Sequence, residues 1–401
     1  MSEELRVLSL YEGFFSGGAR ILHTDVLAGL HGRDQRHHVL ALHARMERDA
    51  NSQRMQDDPC YRRLVASGVP VASLRPGASG PEQFGEAELA VAARQAARAD
   101  VVLTLKEQPL RLVNQLRLRD RPVIGCLHRS DPQNQGSGWA DLSAAVVADR
   151  IAALVCCAES TRSAYQAAGI PAGLMQVIPN GVDLRRFRPD RRARAALRAA
   201  LGIGPDAAVI AFAARYDLMK NVTLFLASAA AFLAAHPTAH VVMCGSGMTP
   251  LNARLSLDLA LAGLEASPRV HLLGVREDPQ ALYAAADVVA LTSSFGEAAP
   301  LCLIEGMMCG AIPVATDVGD CASIVEGRGL LTPADPDAVA AAWSEALGRR
   351  REFAPALLSA RDRFSRRRMI AAYADLIRRT AGDPRARARS RTRPAMALRA
   401  R

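Results

Sequence analysis

Short apolar runs recur along the chain, each followed by a polar or glycine-rich break and then by a stretch of helical spacing. In the first half these runs cover residues 5–10, 38–42, 101–105, 122–127 and 153–157; in the second they cover 209–214, 240–244, 270–273, 287–292 and 312–315. They are continuously apolar rather than alternating. That pattern predicts strands buried on both faces, as in a parallel sheet. Between them, apolar positions at helical spacing predict helices at about 19–30, 86–99, 221–235 and 337–347. No repeat on the scale of a solenoid unit is present. Two successive β/α series of comparable size predict an α/β chain with two Rossmann-like domains.

A chain of 401 residues suits two cores of this kind. Half of it is hydrophobic, which excludes global disorder. No apolar run approaches the ~18–20 residues of a membrane span. The start M-S-E-E-L-R-V-L-S-L is acidic and enters a strand, unlike a signal peptide. The eight cysteines form no C-x-x-C pair and no framework spacing. They read as reduced, buried thiols in a cytoplasmic protein. Net charge is +10, and seven Arg after Asp383 carry most of it. The segment 381–401 therefore reads as a disordered basic extension. It suits peripheral contact with an anionic membrane at the inner face of the cell membrane. A solvated extension without a role would read the same, and no nucleic acid partner is expected.

The most informative stretch is S-S-F-G-E-A-A-P-L-C-L-I-E-G-M-M-C-G-A-I-P-V-A-T-D-V-G, residues 293–319. It predicts a strand end, a polar loop, a helix beginning at Pro300, a stop at Gly310 and a further strand. A helix start at the end of a strand is suited to hold an anion. Glu297 lies in the loop and Glu305 in the helix. Leu301, Leu303, Ile304, Met307 and Met308 leave that helix little polar face, so Glu305 is expected to be largely buried. A buried carboxylate needs a partner. A core ion pair would serve, and so would the hydroxyls of a sugar-like ligand.

Elsewhere, Arg215 ends the strand at 209–214, and Lys220 precedes the helix at 221–235. Two cations there could neutralise a diphosphate or simply pair with surface acids. His128 follows the strand at 122–127, where ligands of open α/β sheets gather. Gly17 and Gly18 precede the first helix, where a backbone or ligand can come close or a plain turn can form. Asp335-Pro336-Asp337 resembles a metal-binding D-x-D, yet helix capping explains it better. Residues 44–60 read as a polar loop or an acceptor-side excursion. The segment 111–121 reads as a helix with basic residues around an apolar stripe, a surface helix or one facing a membrane.

The E-x7-E pair Glu297/Glu305, followed by G-x-x-x-G-x-I-P-V, resembles the signature of glycosyltransferase family 4, retaining enzymes with the GT-B fold. I-P-N-G-V-D-x-x-x-F at 178–187 and the R-x4-K spacing of Arg215 and Lys220 are similar to that family too. The likeness spans nearly all of residues 5–380. It implies two Rossmann-like domains facing a central cleft, residues 1–188 on the acceptor side and 189–365 on the nucleotide-sugar side. A C-terminal helix at about 366–380 would cross back to the first. It also implies roles. Glu297 would hold the donor sugar and Glu305 the nucleotide ribose. Arg215 and Lys220 would meet the diphosphate, with Ala299, Pro300 and Leu301 at the helix start. Gly17 and Gly18 would face the donor phosphates, His128 the donor sugar, and Arg276 the base. Where many members read G-G-x-x-E-I-V, this chain has Gly319-Asp320-Cys321-Ala322-Ser323-Ile324-Val325, so roles there do not carry over.

The resulting expectation is a retaining, metal-independent glycosyltransferase with a nucleotide-diphosphate sugar as co-substrate and no cofactor. Its acceptor would be a glycan, a lipid-linked glycan or a small molecule. The wording around 296–320 is similar to members that build bacterial surface polysaccharides. The rival readings are a nucleotide-sugar epimerase of the same fold and a non-catalytic sugar-nucleotide-binding protein. An epimerase would need acid/base carboxylates in the first domain.

Overall fold

The continuously apolar runs become parallel strands. In the computed structural model, residues 4–15, 17–48, 51–80, 82–116, 118 and 121–382 are described. The chain divides into two compact units. The first takes the chain to Asn180 and again from Arg367; the second is Gly181–Arg366.

The first unit contains β1 (Leu5–Tyr11), β2 (Gln35–His43), β3 (Arg45–Arg48), β4 (Asn51–Arg54), β5 (Val71–Arg75), β6 (Val101–Leu105), β7 (Val123–Leu127), β8 (Ile151–Cys156) and β9 (Met175–Val177). Seven of these form one sheet in the order β5-β2-β1-β6-β7-β8-β9. All of its pairings are parallel. Every residue of β6 and β7 is buried, because helices cover both faces of a parallel sheet. The last helix, Arg366–Gly382, belongs to this unit from Arg367 onward. Tyr373 on it hydrogen-bonds Cys126 of β7. Arg378 reaches Asp34 at 2.7 Å.

The second unit contains β10 (Val209–Ala213), β11 (His240–Cys244), β12 (Val270–Leu272), β13 (Val288–Leu291), β14 (Ile312–Thr316) and β15 (Leu330–Thr332). They form a parallel sheet in the order β12-β11-β10-β13-β14-β15. Its core runs from Phe212 and Phe225 through Phe232 to the fully buried Trp343. Asp287, just before β13, is only 3% exposed. It accepts bonds from Arg194 and Arg198 at 2.8 Å, from Arg350 at 2.6 Å and from the Val209 N–H at 2.9 Å. This network ties two helices to the start of the sheet.

Each sheet reverses its strand order once. In the first unit the chain builds outward from β1 through β2 to β5, then crosses to β6 on the other side. In the second it builds from β10 through β11 to β12, then crosses to β13. Ligands of open α/β sheets bind outside the carboxyl ends of strands at such reversals.

Several sequence expectations change. Residues 44–60 are not a loop. They hold the antiparallel hairpin β3–β4, and a helix, Pro59–Ala66, opens where Asp58 accepts from the Cys60 N–H at 2.8 Å. Polar hairpins lack the buried face that makes strands visible in a sequence. Of the helix expected at 111–121, the described residues form Leu110–Gln115, in which Leu110, Leu112 and Val113 are buried. Its apolar stripe faces the core, not a membrane. Among the described residues, one helical stretch, Leu218–Ala235, is apolar and long enough to cross a membrane by composition, with a mean hydropathy of 1.6. Half of it is buried. It includes the core helix Val222–Ala235, and core packing accounts for its apolarity. Pro300 is the cap residue rather than the first helical one, its ψ of 119° lying outside the helix. The expected disordered tail lies outside the described residues from 383 onward. All eight cysteines are free and buried, and Asp335 does cap helix Pro336–Gly348, accepting from the Ala338 N–H at 2.9 Å.

Candidate active site

In the second unit, the strand reversal brings the loop after β10 beside the loop after β13. The residues between them are stitched by short polar contacts. Ser294 N–H donates to the Met219 carbonyl at 2.9 Å, and Asn221 Nδ2 to Ser294 Oγ at 2.9 Å. Thr292 Oγ1 donates to the carbonyl of Lys220 at 3.1 Å. Asn221 holds a left-handed backbone, φ 48°, and its side chain caps helix Val222–Ala235 through the Leu224 N–H. Asn tolerates that conformation better than most residues.

These anchors aim Lys220 at Glu297. Lys220 Nζ donates to Glu297 Oε1, and Ser293 Oγ donates to the same oxygen at 2.6 Å. Glu297 is 6% exposed. The loop glutamate is thus the more deeply buried of the pair, and Glu305 is partly exposed. The reason is tertiary. The 296–299 loop folds under Gly319, whose φ is 64° and where a Cβ would lie 2.4 Å from the Glu297 carbonyl oxygen. Asp320 N–H then donates to the Ala298 carbonyl at 2.7 Å. So Gly319, to which the sequence assigned no role, is required by a close backbone approach.

Helix Leu301–Met308 begins beside this loop with no side chain capping it. Gly306 lets it lie against β13, since a Cβ there would be 2.5 Å from Val289 Cγ1. Its first turn holds Cys302, whose buried thiol is pushed up to about 12 by desolvation, opposed by Lys220 and reinforced by Glu297 and Glu305. Those three charged groups are therefore all near enough to act on one thiol. The buried Tyr283 hydroxyl hydrogen-bonds Glu305, and burial with that carboxylate holds the phenol protonated well above its usual range. Ser293 and Tyr283 were not legible as site residues. Serine after a strand and tyrosine in an apolar helix are ordinary in a sequence.

Arg215 and Arg276 are each engaged locally. Arg215 bonds Asp217 at 2.7 Å, and Arg276 bonds Asp278 at 2.8 and 2.7 Å. Each guanidinium sits in a local pair two residues away, on the carboxyl-end side of the sheet. Among the described residues, no group of three or more His, Cys, Asp or Glu is placed to hold a metal ion.

The first unit contributes His128, Gly17 and Gly18. Gly17 is extended, and a Cβ there would meet nothing within 4 Å, so packing among the described residues does not demand glycine. His128 follows β7, and its Nε2 is buried without a hydrogen-bond partner. Burial, and then the nearby Lys106, lower its pKa to about 3. Lys106 directly follows β6 in a left-handed backbone, φ 68°. Burial and Arg20 lower its pKa. Next to it, Glu107 is 1% exposed, accepts from the Tyr165 hydroxyl and is pushed up by burial. Lys106 and Glu107 stand at this sheet's own strand reversal, which the sequence alone did not mark.

Residues 16–186 match the family model described as Glycosyltransferase Family 4, and residues 207–349 match that of Glycosyl transferases group 1. The chain thus matches a glycosyltransferase domain in each half, and its two parallel α/β sheets have the GT-B fold. Its relatives include proteins named D-inositol 3-phosphate glycosyltransferase. The one from Nocardia farcinica is 34% identical over 230 residues, covering 55% of this chain and 47% of the relative. The one from Saccharomonospora viridis is 37% identical over 233 residues, covering 53% and 51%. The chain spans about half the length of these relatives. Among solved structures, Anabaena Alr3699/HepE in complex with UDP and glucose aligns with a TM-score of 0.77 at 22% identity, covering 93% of this chain and 99% of that one. WaaG, a glycosyltransferase involved in lipopolysaccharide biosynthesis, aligns with a TM-score of 0.67 at 16% identity, covering 93% and 99%. At these identities the two structures speak for the fold.

Proposed function

We propose that this protein transfers a sugar, with retention of anomeric configuration, from a nucleotide-diphosphate donor to a hydroxyl acceptor. The observation that carries this reading is the Lys220–Glu297 pair beside the uncapped start of helix Leu301–Met308, at the strand reversal of the second unit. A departing nucleoside diphosphate gathers negative charge as its bond to the anomeric carbon breaks. Lys220, Arg215 and the N–H groups at Leu301 can stabilise that charge without a metal. Glu297 would bind sugar hydroxyls and Glu305 the ribose. The acceptor oxygen would bond the anomeric carbon on the face the diphosphate leaves, and its proton would pass to the departing phosphate oxygen.

The names of the sequence relatives make D-inositol 3-phosphate an acceptor to test first, beside the glycan and lipid-linked acceptors of surface polysaccharide synthesis. The site would work in the cytoplasm, where nucleotide sugars are present, with or without peripheral contact with the membrane.

Thermal unfolding with UDP-, GDP-, ADP- and CDP-sugars tests the donor class, because a ligand of the folded state raises its stability. Turnover of the stabilising donor, with NMR of the product, tests the chemistry. A retained anomeric configuration and activity that survives EDTA are expected. Inversion would overturn the front-face mechanism, loss of activity in EDTA would overturn metal independence, and no response to any donor would overturn the proposal as a whole.

A further inference from the structure

A cavity of about 440 Å³ opens in the first unit, within the size range of small-molecule sites. It lies at the amino-terminal ends of the strands, away from the carboxyl ends that carry His128 and Lys106. Strand β5 starts at Val71, opposite Val39 of β2. Residues 35–38 of β2 thus extend past it, and the cavity occupies the space beside them. His31, Gly68 and Pro70 close one side, and Gln95 and Arg98 the other.

The lining is chemically one-sided. Arg6, Arg36, Arg98, His31, His37 and His38 contribute to it, and no Asp or Glu does. Arg36 is paired with Glu4 at 2.6 Å, and Arg6 approaches Asp100 at 3.8 Å. Arg98, exposed at the mouth, has no ion-pair partner among the described residues. His31 Nδ1 accepts from the His37 N–H at 3.1 Å, so in the neutral ring Nε2 carries the proton and is left as a donor. His38 Nε2 is buried with no partner at all. A buried polar atom without a partner is costly, and here it stands near an unpaired guanidinium. Burial and the charge of Arg98 both disfavour the cationic form of His38. His31 and Arg98 also follow the ends of helices Gly18–Leu30 and Glu86–Ala97, where cations are common. That accounts for those two. It does not account for Arg6 and Arg36 lining the same cavity, nor for the orphaned Nε2 of His38, a residue of that lining.

We propose that this cavity is an anion site separate from the transferase site, taking a small phosphate-bearing molecule between Arg98 and His38. The phosphate oxygens would accept from the guanidinium and from the imidazole, and Val39, Val71 and Pro70 would meet the uncharged body of an ester.

The test is calorimetry with inorganic phosphate and with glycerol 3-phosphate, at constant ionic strength, on the Lys220→Ala protein. That background removes one of the two cations proposed to meet phosphates in the second unit, and dependence on Arg98 separates the two sites. Saturable binding is expected, weakened at least tenfold by Arg98→Ala and by His38→Gln, with thermal unfolding showing that both variants fold. Arg98 is exposed, so that variant alone decides should His38→Gln fail to fold. Tighter binding of glycerol 3-phosphate would identify an ester as the ligand, and equal binding would identify free phosphate. No binding to the Lys220→Ala protein, undiminished binding after Arg98→Ala, or equal binding of perchlorate would overturn the proposal.

Discussion

Lys220 Nζ donates to Glu297 Oε1 across a sequence separation of 77 residues. One short stretch holds both ends, Thr292 and Ser294 contacting the backbone at Lys220 and Met219, and Ser293 bonding Glu297, whose loop is also packed under Gly319. The contact therefore reports how two strand-end loops meet.

Replacing Lys220 by Ala is expected to lower kcat/KM for the donor by roughly 2–4 kcal/mol of transition-state stabilisation, the scale of a lost electrostatic stabiliser. Arg215→Ala should follow in the same direction. Folding should survive in both. Steady-state kinetics beside a urea melt checks this, and an unchanged kcat/KM for Lys220→Ala would remove it from the diphosphate site.

The two glutamates should separate by assay. Glu305→Gln keeps the shape but loses charge-assisted bonding, worth about 1.5–3 kcal/mol. Its cost should appear in affinity for the free nucleoside diphosphate. Glu297→Gln should leave that affinity nearly intact and lower kcat with the complete donor. Calorimetry with the nucleoside diphosphate, paired with turnover of the sugar nucleotide, distinguishes them. Equal losses of nucleotide affinity with no change in kcat would refute the division.

Asp287 is a structural carboxylate. Asp287→Asn leaves Arg198, itself only 2% exposed, without a counter-charge, and should destabilise the protein by about 3–5 kcal/mol. Arg350→Ala, at an arginine side chain 51% exposed, should cost under about 1 kcal/mol. Urea denaturation of both variants measures the difference, and similar losses would contradict the burial argument.

Acid should weaken the first unit through its buried histidines. His37 and His128 are both lowered from 6.5 to about 3, chiefly by burial. Between those values the unfolded chain binds protons that the folded chain refuses, so stability falls as pH drops from about 6.5 toward 3. Each group contributes a slope of at most about 1.4 kcal/mol per pH unit. His37→Gln and His128→Gln should each flatten the decline measured by urea melts between pH 6.5 and 4.5. An unchanged slope in both would show that these rings titrate normally.

Part of the site is legible in the amino-acid sequence alone. Glu297, Lys220 and Pro300 follow or precede recognisable strands and helices, and their residue types suit a sugar and a diphosphate. Gly319, Ser293, Tyr283 and Lys106 are not legible in that way. Gly319 matters because a carbonyl 22 positions earlier in the chain comes within 2.4 Å of its absent side chain. Tyr283 matters because its hydroxyl reaches a carboxylate on another helix. Such contacts leave no local pattern. The relative burial of the two glutamates escapes the sequence for the same reason. The apolar neighbours of Glu305 describe its own helix, whereas exposure depends on what packs against it.

By itself the sequence determined the α/β class and the parallel character of the strands, because burial on both faces imposes an unbroken apolar run wherever the strand lies in the sheet. It also determined capping at Asp335 and the stop at Gly310, where the energies are local. Only the tertiary structure decided that β10 lies beside β13 and β1 beside β6. Those neighbours follow from crossover connections and helix packing, which act between residues far apart in the chain. The order of strands sets where each sheet reverses, and the reversal in the second unit places Lys220 against Glu297.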